Sequence, residues 1–241
     1  MKKQLLRRSA GFFVLLLCFL AATACSPSVV ISITENPPDP ASFATEMSPA
    51  AEKLVRQLSG LGSDSGDGAE SVQIFDADGI TASLAYAGIT VKSVSYPSDS
   101  GISLSLTVPD LNGFLDNAII LDRKNRKLIL SLTRESLNSA AALMPEDTYD
   151  YLDLFMAPAF TGEDMTVSEY RDIIAAAYGR TLADEMEKEA FSLTVRCPSA
   201  PKEISVTPPG TGRVSGKDAL ITLPLAVLLV LENPVYIEVA W

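Results

Sequence analysis

The amino-acid sequence predicts an α+β fold, in which a mainly antiparallel sheet carries a helical insertion packed on one face. On both sides of residues 134–190, short segments alternate apolar with polar side chains, which is the period of a strand with one buried and one wet face. Residues 134–190 instead show helix caps and a helical period. Runs of strands that are separated from a run of helices indicate an α+β fold rather than βαβ repeats. With 241 residues, of which 47% are hydrophobic, the chain has ample material for one core.

Strands are predicted wherever the two-residue alternation is clean, and a single wet face favours antiparallel pairing. Segment 118–133 predicts a hairpin, because two apolar runs flank a polar stretch that turns near Lys124 and Asn125. Three other clean strands are 102–108, 191–197 and 235–241, and four shorter candidates are 29–34, 89–96, 204–207 and 219–223.

Two helices are predicted from their start signals. Ser48 as N-cap and Pro49 at the first position open a helix over 49–61. Thr166 and Glu169 have the spacing of a capping box, in which each side chain binds a free backbone donor of the other. The apolar face of this second helix carries Tyr170, Ile173, Ile174, Ala177 and Tyr178.

Weaker helical signals occur at three other places. A more acidic helix is predicted over 181–189, and residues 134–160 are expected to be helical around Leu137 and Phe155. Asp76 and Asp78 resemble the start of a calcium loop, but the later ligand positions are missing, so we expect them to cap a helix or a turn.

Residues 220–231 are nearly all apolar. This run of 12 residues contains Pro224 and is too short to span a bilayer, which needs about 20 residues. We predict a buried strand and turn at the centre of the core. The alternatives are an apolar wall for a ligand or a segment that dips into a membrane.

The N-terminus has the three regions of an export signal. A basic stretch comes first, an uncharged apolar run follows over 11–22, and small residues lead into Cys25. Small residues directly before a cysteine resemble the bacterial lipoprotein signal, in which the cysteine is acylated and becomes the first residue. Ala22 stands where that signal usually has Leu. We therefore predict a signal peptide over 1–24 and lipidation of Cys25, with an ordinary secreted protein cleaved near Ala24 as the alternative.

Removal of this signal peptide predicts where the protein resides. Four basic and no acidic side chains leave, so 15 basic and 30 acidic side chains remain, a net charge of −15. Anionic lipid repels such a body, so charge cannot hold it to its membrane partner. The acyl chains must do so, and each buried CH₂ contributes about 0.8 kcal/mol. We expect a lipid-anchored protein of the cell membrane or outer membrane that faces away from the cytoplasm. Residues 25–28 form a short predicted tether, and 29–241 a single α+β domain with its helical insert at about 134–190.

Cysteine usage excludes an internal disulfide framework. Cys18 lies in the predicted signal peptide and Cys25 is expected to carry lipid, which leaves Cys197 alone. Cys197 falls on the apolar side of strand 191–197, so we predict a buried and unreactive thiol.

The composition also excludes several classes of function. The chain has no histidine, which excludes Ser-His-Asp and Cys-His catalysis and every His-ligated metal site. A net charge of −11 gives no electrostatic reason to expect a nucleic-acid partner. No phosphate loop, dinucleotide fingerprint or nucleophile elbow is present, and no cofactor or metal site is predicted. The many acidic side chains still allow catalysis by a pair of carboxylates. The densest acidic run consists of Glu146, Asp147, Asp150 and Asp153, and we interpret it as a solvated helix face.

The C-terminal part is similar to LppM-like bacterial lipoproteins. The similarity rests on a strand over 191–198 that ends in proline, a turn-rich segment, a strand over 214–223 and a closing apolar strand over 237–241. Ser199 stands where the family has Gly, and Leu220 or Ile221 where it has an aromatic residue. About fifty residues are covered. The resemblance implies an envelope lipoprotein with an α+β body and a lipid or glycolipid ligand, and it carries no catalytic residues.

These observations predict a non-enzymatic cell-envelope lipoprotein that acts as a membrane-proximal binding or scaffold module. A lipid-like molecule or an envelope protein is the expected partner. The alternative is a carboxylate-dependent envelope hydrolase that uses acids of the 146–153 region. A purely structural subunit of an envelope complex is a third hypothesis, which an exposed apolar patch would support.

Overall fold

The computed structural model describes residues 26–58, 73–112, 118–141 and 157–241, and it confirms the α+β fold class. The strands of this part of the chain are β1 (Ser28–Ser32), β2 (Asp39–Glu46), β3 (Thr90–Ser95), β4 (Gly101–Val108), β5 (Ile119–Asp122), β6 (Lys127–Leu132), β7 (Ala190–Arg196), β8 (Glu203–Val206), β9 (Thr211–Ser215), β10 (Asp218–Pro224) and β11 (Val235–Ala240). Its helices are α1 (Pro49–Leu58), α2 (Ala77–Tyr86), α3 (Arg134–Ala141), α4 (Pro158–Thr161), α5 (Val167–Tyr178), α6 (Arg180–Lys188) and α7 (Leu225–Val230).

The strands form two sheets. The large sheet has seven strands in the order β3-β4-β2-β1-β7-β10-β9, and the small sheet has four in the order β5-β6-β11-β8. Neighbouring strands are antiparallel except β1 and β7, which run parallel from Ser28 opposite Ser192 to Ser32 opposite Arg196. A parallel pair needs a long connection, and here that connection includes the helical insertion.

One hydrophobic core joins both sheets to the helices. The inner face of the large sheet contributes Phe43, Leu104 and Phe191, and the insertion contributes Tyr170 and Met186, all of them buried. The small sheet buries its apolar face in the same core through the alternate residues of β6 and β11. The helices of the insertion and both sheets therefore share one core.

Local periodicity located most elements correctly. The hairpin over 118–133 is present as β5 and β6, with its turn at 123–126. The capping box of Thr166 and Glu169 opens α5, and Asp76 caps α2 by accepting hydrogen bonds from the backbone of Asp78 and Gly79. The predicted starts of α1 at Pro49 and α3 at residue 134 are confirmed, whereas residues 59–61 and 142–156 of those predictions lie outside the described residues.

The prediction of a strand and turn over 220–231 was wrong in its second half. β10 ends at Pro224, and residues 225–230 form the short helix α7 rather than a turn. α7 is buried on nearly every side, so the sequence there has no alternation from which to choose between strand and helix.

Three elements were not predicted. β2 has Phe43 as its one large apolar residue, β9 is exposed at all five positions, and α2 contains Gly79, which lowers helix propensity. None of these segments has a strong apolar period, so their pairing or packing determines their structure. No helix among the described residues has both the length and the apolarity needed to cross a membrane.

Candidate functional site

The chain joins the large sheet immediately after Cys25. Cys25 itself lies outside the described residues. The backbone N–H of Ser26 donates to the carbonyl of Glu46 at 3.3 Å, and the carbonyl of buried Pro27 accepts from the N–H of Ser192 at 2.9 Å. Residues 26–28, which were predicted to belong to the tether, are therefore bound to the sheet.

Two ends of the large sheet can be distinguished by this entry point. The entry end is where β1 begins at Ser28, β2 ends at Glu46, β4 begins at Gly101 and β7 begins at Ala190. The far end is where the same strands have their other termini. The β5–β6 turn of the small sheet lies at the far end, because Arg123 in this turn binds Asp39 at the start of β2.

Serine hydroxyls hold carboxylates at the entry end. Ser98 Oγ donates to Glu46 Oε1 at 2.8 Å, and Ser26 Oγ donates to Glu189 Oε2. Glu185 of α6 accepts hydrogen bonds from Ser48 Oγ and, at 3.1 Å, from the N–H of Ala50. These carboxylates are thus engaged in local hydrogen bonds that fix loops and a helix end, which is a positioning role.

The outer face of the large sheet, which we call the open face, is covered with small hydroxyl side chains. One row crosses all seven strands in register and consists of Ser95, Ser103, Ala44, Ser28, Ser192, Thr222 and Thr211. Each of these residues is exposed or half-buried, and neighbours in the row are about 4.8 Å apart, the spacing of adjacent strands.

The hydroxyls of this row are largely unoccupied by protein groups. Within the described part of the chain, Ser28 Oγ donates to the carbonyl of Ala44 at 3.3 Å, and the other five hydroxyls of the row make no such bond. A hydroxyl can both donate and accept. The row therefore offers an ordered line of polar groups to water or to a ligand, and the row itself contains no aromatic or large apolar side chain.

An ion pair between a buried carboxylate and a half-buried arginine joins the two sheets. Asp39 is fully buried, and its carboxylate accepts hydrogen bonds from the N–H and Oγ1 of Thr34, both at 3.0 Å, and from the Arg123 guanidinium. Arg123 Nε also donates to the carbonyl of Thr34 at 3.2 Å. Asp39 is the only buried carboxylate among the described residues. Because an arginine and two further donors satisfy it, this carboxylate acts as a structural clasp.

Shifted pKa values mark caps and buried groups. Hydrogen bonds from the backbone and side chain of Asn125 lower the pKa of Asp122 at the end of β5, and hydrogen bonds from Thr166 lower the pKa of Glu169 at the start of α5. Burial raises the pKa of Tyr170, with a contribution from Tyr178. Burial and the nearby charge of Asp218 raise the pKa of the Cys197 thiol to about 11.

No group of three or more His, Cys, Asp or Glu side chains that could hold a metal ion occurs in the described ranges. The acids of the 146–153 region, on which the hydrolase alternative depends, lie outside the described residues. The two features that the sequence analysis did not single out are the open face and the Asp39–Arg123 clasp. Alternating Ser and Thr in strands 103–107 and 192–194 is a local signal for the first, whereas the second pairs residues far apart in sequence and has no local signal.

The apolar run 220–231 packs into the core. Leu225, Leu228 and Leu229 of α7 are all buried, and α7 contacts helices α4, α5 and α6 as well as strands β7 and β10. This arrangement supports a packing role for these side chains.

Comparison with known proteins gives no relative for this chain: no family model, no curated protein and no solved structure matches it. The similarity of the C-terminal part to LppM-like lipoproteins remains a prediction. Its segments correspond to β7, to the β9–β10 hairpin and to β11, so the single strand expected over 214–223 was wrong: a turn at 216–217 divides it.

Proposed function

We propose that this protein is a non-enzymatic cell-envelope lipoprotein, held in the cell membrane or outer membrane by acyl chains on Cys25 and facing away from the cytoplasm. In this proposal it acts as a membrane-proximal binding or scaffold module. The observation that carries the proposal is the basic, apolar and small-residue succession that ends at Cys25, followed directly by a folded body from Ser26.

The described side chains support a module without catalysis. The chain lacks histidine, Cys197 is buried, and the buried carboxylate of Asp39 is bound by Arg123. An acid or base catalyst needs a group that can exchange a proton with a substrate, and none of these groups is placed to do so.

Surface contact is the mode of binding that this body favours. Its described apolar side chains lie mostly in one core, whereas the open face presents hydroxyls on a seven-stranded sheet. Lipid-like ligands and envelope proteins are the expected partners, and a partner that forms hydrogen bonds suits the open face.

Replacement of the acylated residue tests the proposal. Cys25→Ser should move the protein from the membrane fraction to the soluble fraction, with loss of incorporated acyl label and of the acyl mass in intact-protein mass spectrometry. Cys197→Ala is the matched control, since it removes the other remaining thiol and should leave both readouts unchanged. A Cys25→Ser protein that is still acyl-labelled and membrane-bound would contradict the lipoprotein assignment.

A further inference from the structure

We propose that the body stands end-on on the bilayer, with the entry end of the large sheet against zwitterionic lipid headgroups and the far end pointing away. This inference rests on the proposed acylation of Cys25 and adds an orientation to it.

The short distance from the anchor to the sheet carries the inference. Consecutive Cα atoms are about 3.8 Å apart, and the N–H of Ser26 is already bound to the carbonyl of Glu46. Buried Pro27 and its hydrogen bond to Ser192 hold the next residue in place. A flexible linker would allow a body to rotate freely above its anchor. Here one peptide unit connects the acylated residue to a seven-stranded sheet, so the orientation of the sheet follows from where the chain enters it.

The geometry identifies which residues approach the headgroups. Glu46, Ser98, Asp99 and Glu189 lie at the entry end, next to Ser26 or to the strand ends beside it. The eight residues of β4 extend about 26 Å from this end at roughly 3.3 Å per residue. The β5–β6 turn and the β9–β10 turn at Lys217 therefore project away from the bilayer.

Charge selects the kind of headgroup. The entry end carries the carboxylates of Glu46, Asp99 and Glu189, with Lys188 as a neighbouring cation. Like charges repel, so an anionic headgroup is disfavoured there, whereas the ammonium group of a zwitterionic phospholipid can meet these carboxylates. The exposed cations Lys124 and Arg126 lie in the β5–β6 turn at the opposite end.

Two exposed tyrosines provide a matched pair of positions on the same edge of the molecule. Tyr96 directly follows β3 at the entry end, and Tyr86 ends α2 close to the start of β3 at the far end. Tyr96 is 40% exposed and Tyr86 is 63% exposed.

The chain contains one tryptophan, Trp241, which lies at the far end. Its backbone N–H donates to the carbonyl of Arg126.

The experiment measures tryptophan quenching by the bilayer. Full-length acylated Tyr96→Trp/Trp241→Phe and Tyr86→Trp/Trp241→Phe proteins are purified from membranes and reconstituted into phosphatidylcholine vesicles that carry a headgroup-attached quencher. The Tyr96→Trp variant should be quenched several-fold more strongly than the Tyr86→Trp variant. Wild-type Trp241, which lies at the far end, should be quenched as weakly as the Tyr86→Trp variant.

The outcomes separate the orientation from the anchor. Equal quenching of the two variants, or stronger quenching of Tyr86→Trp, would overturn the end-on orientation while leaving the acyl anchor intact. Strong quenching of wild-type Trp241 would overturn the end-on orientation as well, and the wild-type measurement does not depend on how either variant folds. Protein that lacks the acyl mass on Cys25 and does not float with vesicles would instead overturn the proposed function on which the orientation rests.

Discussion

At the scale of single residues, Cys197 shows how burial controls a reactive group. It directly follows β7 and is 5% exposed, and its Sγ lies 3.7 Å from the carbonyl oxygen of Val195. Burial and the charge of Asp218 raise its pKa from the ordinary value of 9.0 to about 11. The thiolate is the nucleophile, so the folded protein holds this cysteine in its unreactive form at neutral pH.

We expect the thiol of native Cys197 to react about a hundredfold more slowly at pH 8 than in the unfolded chain, because a pKa raised by about two units lowers the thiolate fraction by about that factor. The measurement is the rate of reaction with a chromogenic disulfide reagent, with and without denaturant. A Cys25→Ser background without the signal peptide leaves Cys197 as the one thiol. Fast labelling of the native protein would show that the inner and outer faces of β7 are assigned the wrong way round.

At the scale of elements, the first turn of α1 is capped by a residue of another helix. Ser48 caps α1 weakly, with its Oγ 3.4 Å from the N–H of Ala51. Glu185 of α6 binds the Ser48 hydroxyl and the N–H of Ala50, so its carboxylate lies at the positive end of the α1 dipole. The beginning of α1 is thereby attached to the helical insertion.

Glu185→Ala should therefore destabilise the protein by about 1 kcal/mol, which is typical for loss of a helix cap, and the effect should be concentrated at α1. Hydrogen exchange measured by NMR should show faster exchange of the amides of Ala50 and Ala51. Glu187→Ala is the control on the same helix, because the described hydrogen bond of the Glu187 side chain is to Arg171 on the surface, at 3.1 Å, and not to α1. Equal effects of the two substitutions on α1 would contradict the cap.

At the scale of the whole molecule, two contacts between the sheets can be described residue by residue, in addition to their shared core. The Asp39–Arg123 clasp joins the start of β2 to the β5–β6 turn. Elsewhere, β9 of the large sheet crosses β8 of the small sheet so closely that a Cβ on Gly212 would lie 2.5 Å from Ile204 Cγ2. The absence of a side chain at Gly212 permits this approach.

Arg123→Met should lower the free energy of unfolding by about 3 kcal/mol, because it leaves the carboxylate of Asp39 buried without a counter-charge. Adding Asp39→Asn to this variant should recover part of the loss, since the buried charge is then removed as well. Urea denaturation monitored through Trp241 measures both effects. Lys124→Met, at an exposed neighbouring position, is the control and should change stability by less than about 0.5 kcal/mol. A double variant that is less stable than Arg123→Met would contradict the clasp.

Local patterns in the sequence determined the elements whose signals are contained in a few residues. The alternation of β4 and β7, the β5–β6 hairpin, the capping box of α5 and the burial of Cys197 all follow from the period of a strand or from the chemistry of a helix end. Each of these features depends on neighbours within one turn or one strand, so the chain carries the information locally.

Only the tertiary structure decided the features that join distant residues. β1 pairs in parallel with β7, more than 150 residues further along, and Asp39 meets Arg123 across two sheets. The exposed strand β9 and the buried helix α7 likewise have no alternation of apolar and polar residues, because in each of them nearly all side chains share one environment. A regular alternation of apolar and polar residues arises where one face of a strand or helix is buried and the other is wet. Where both faces are wet or both are buried, the contacts made in the folded molecule select the structure.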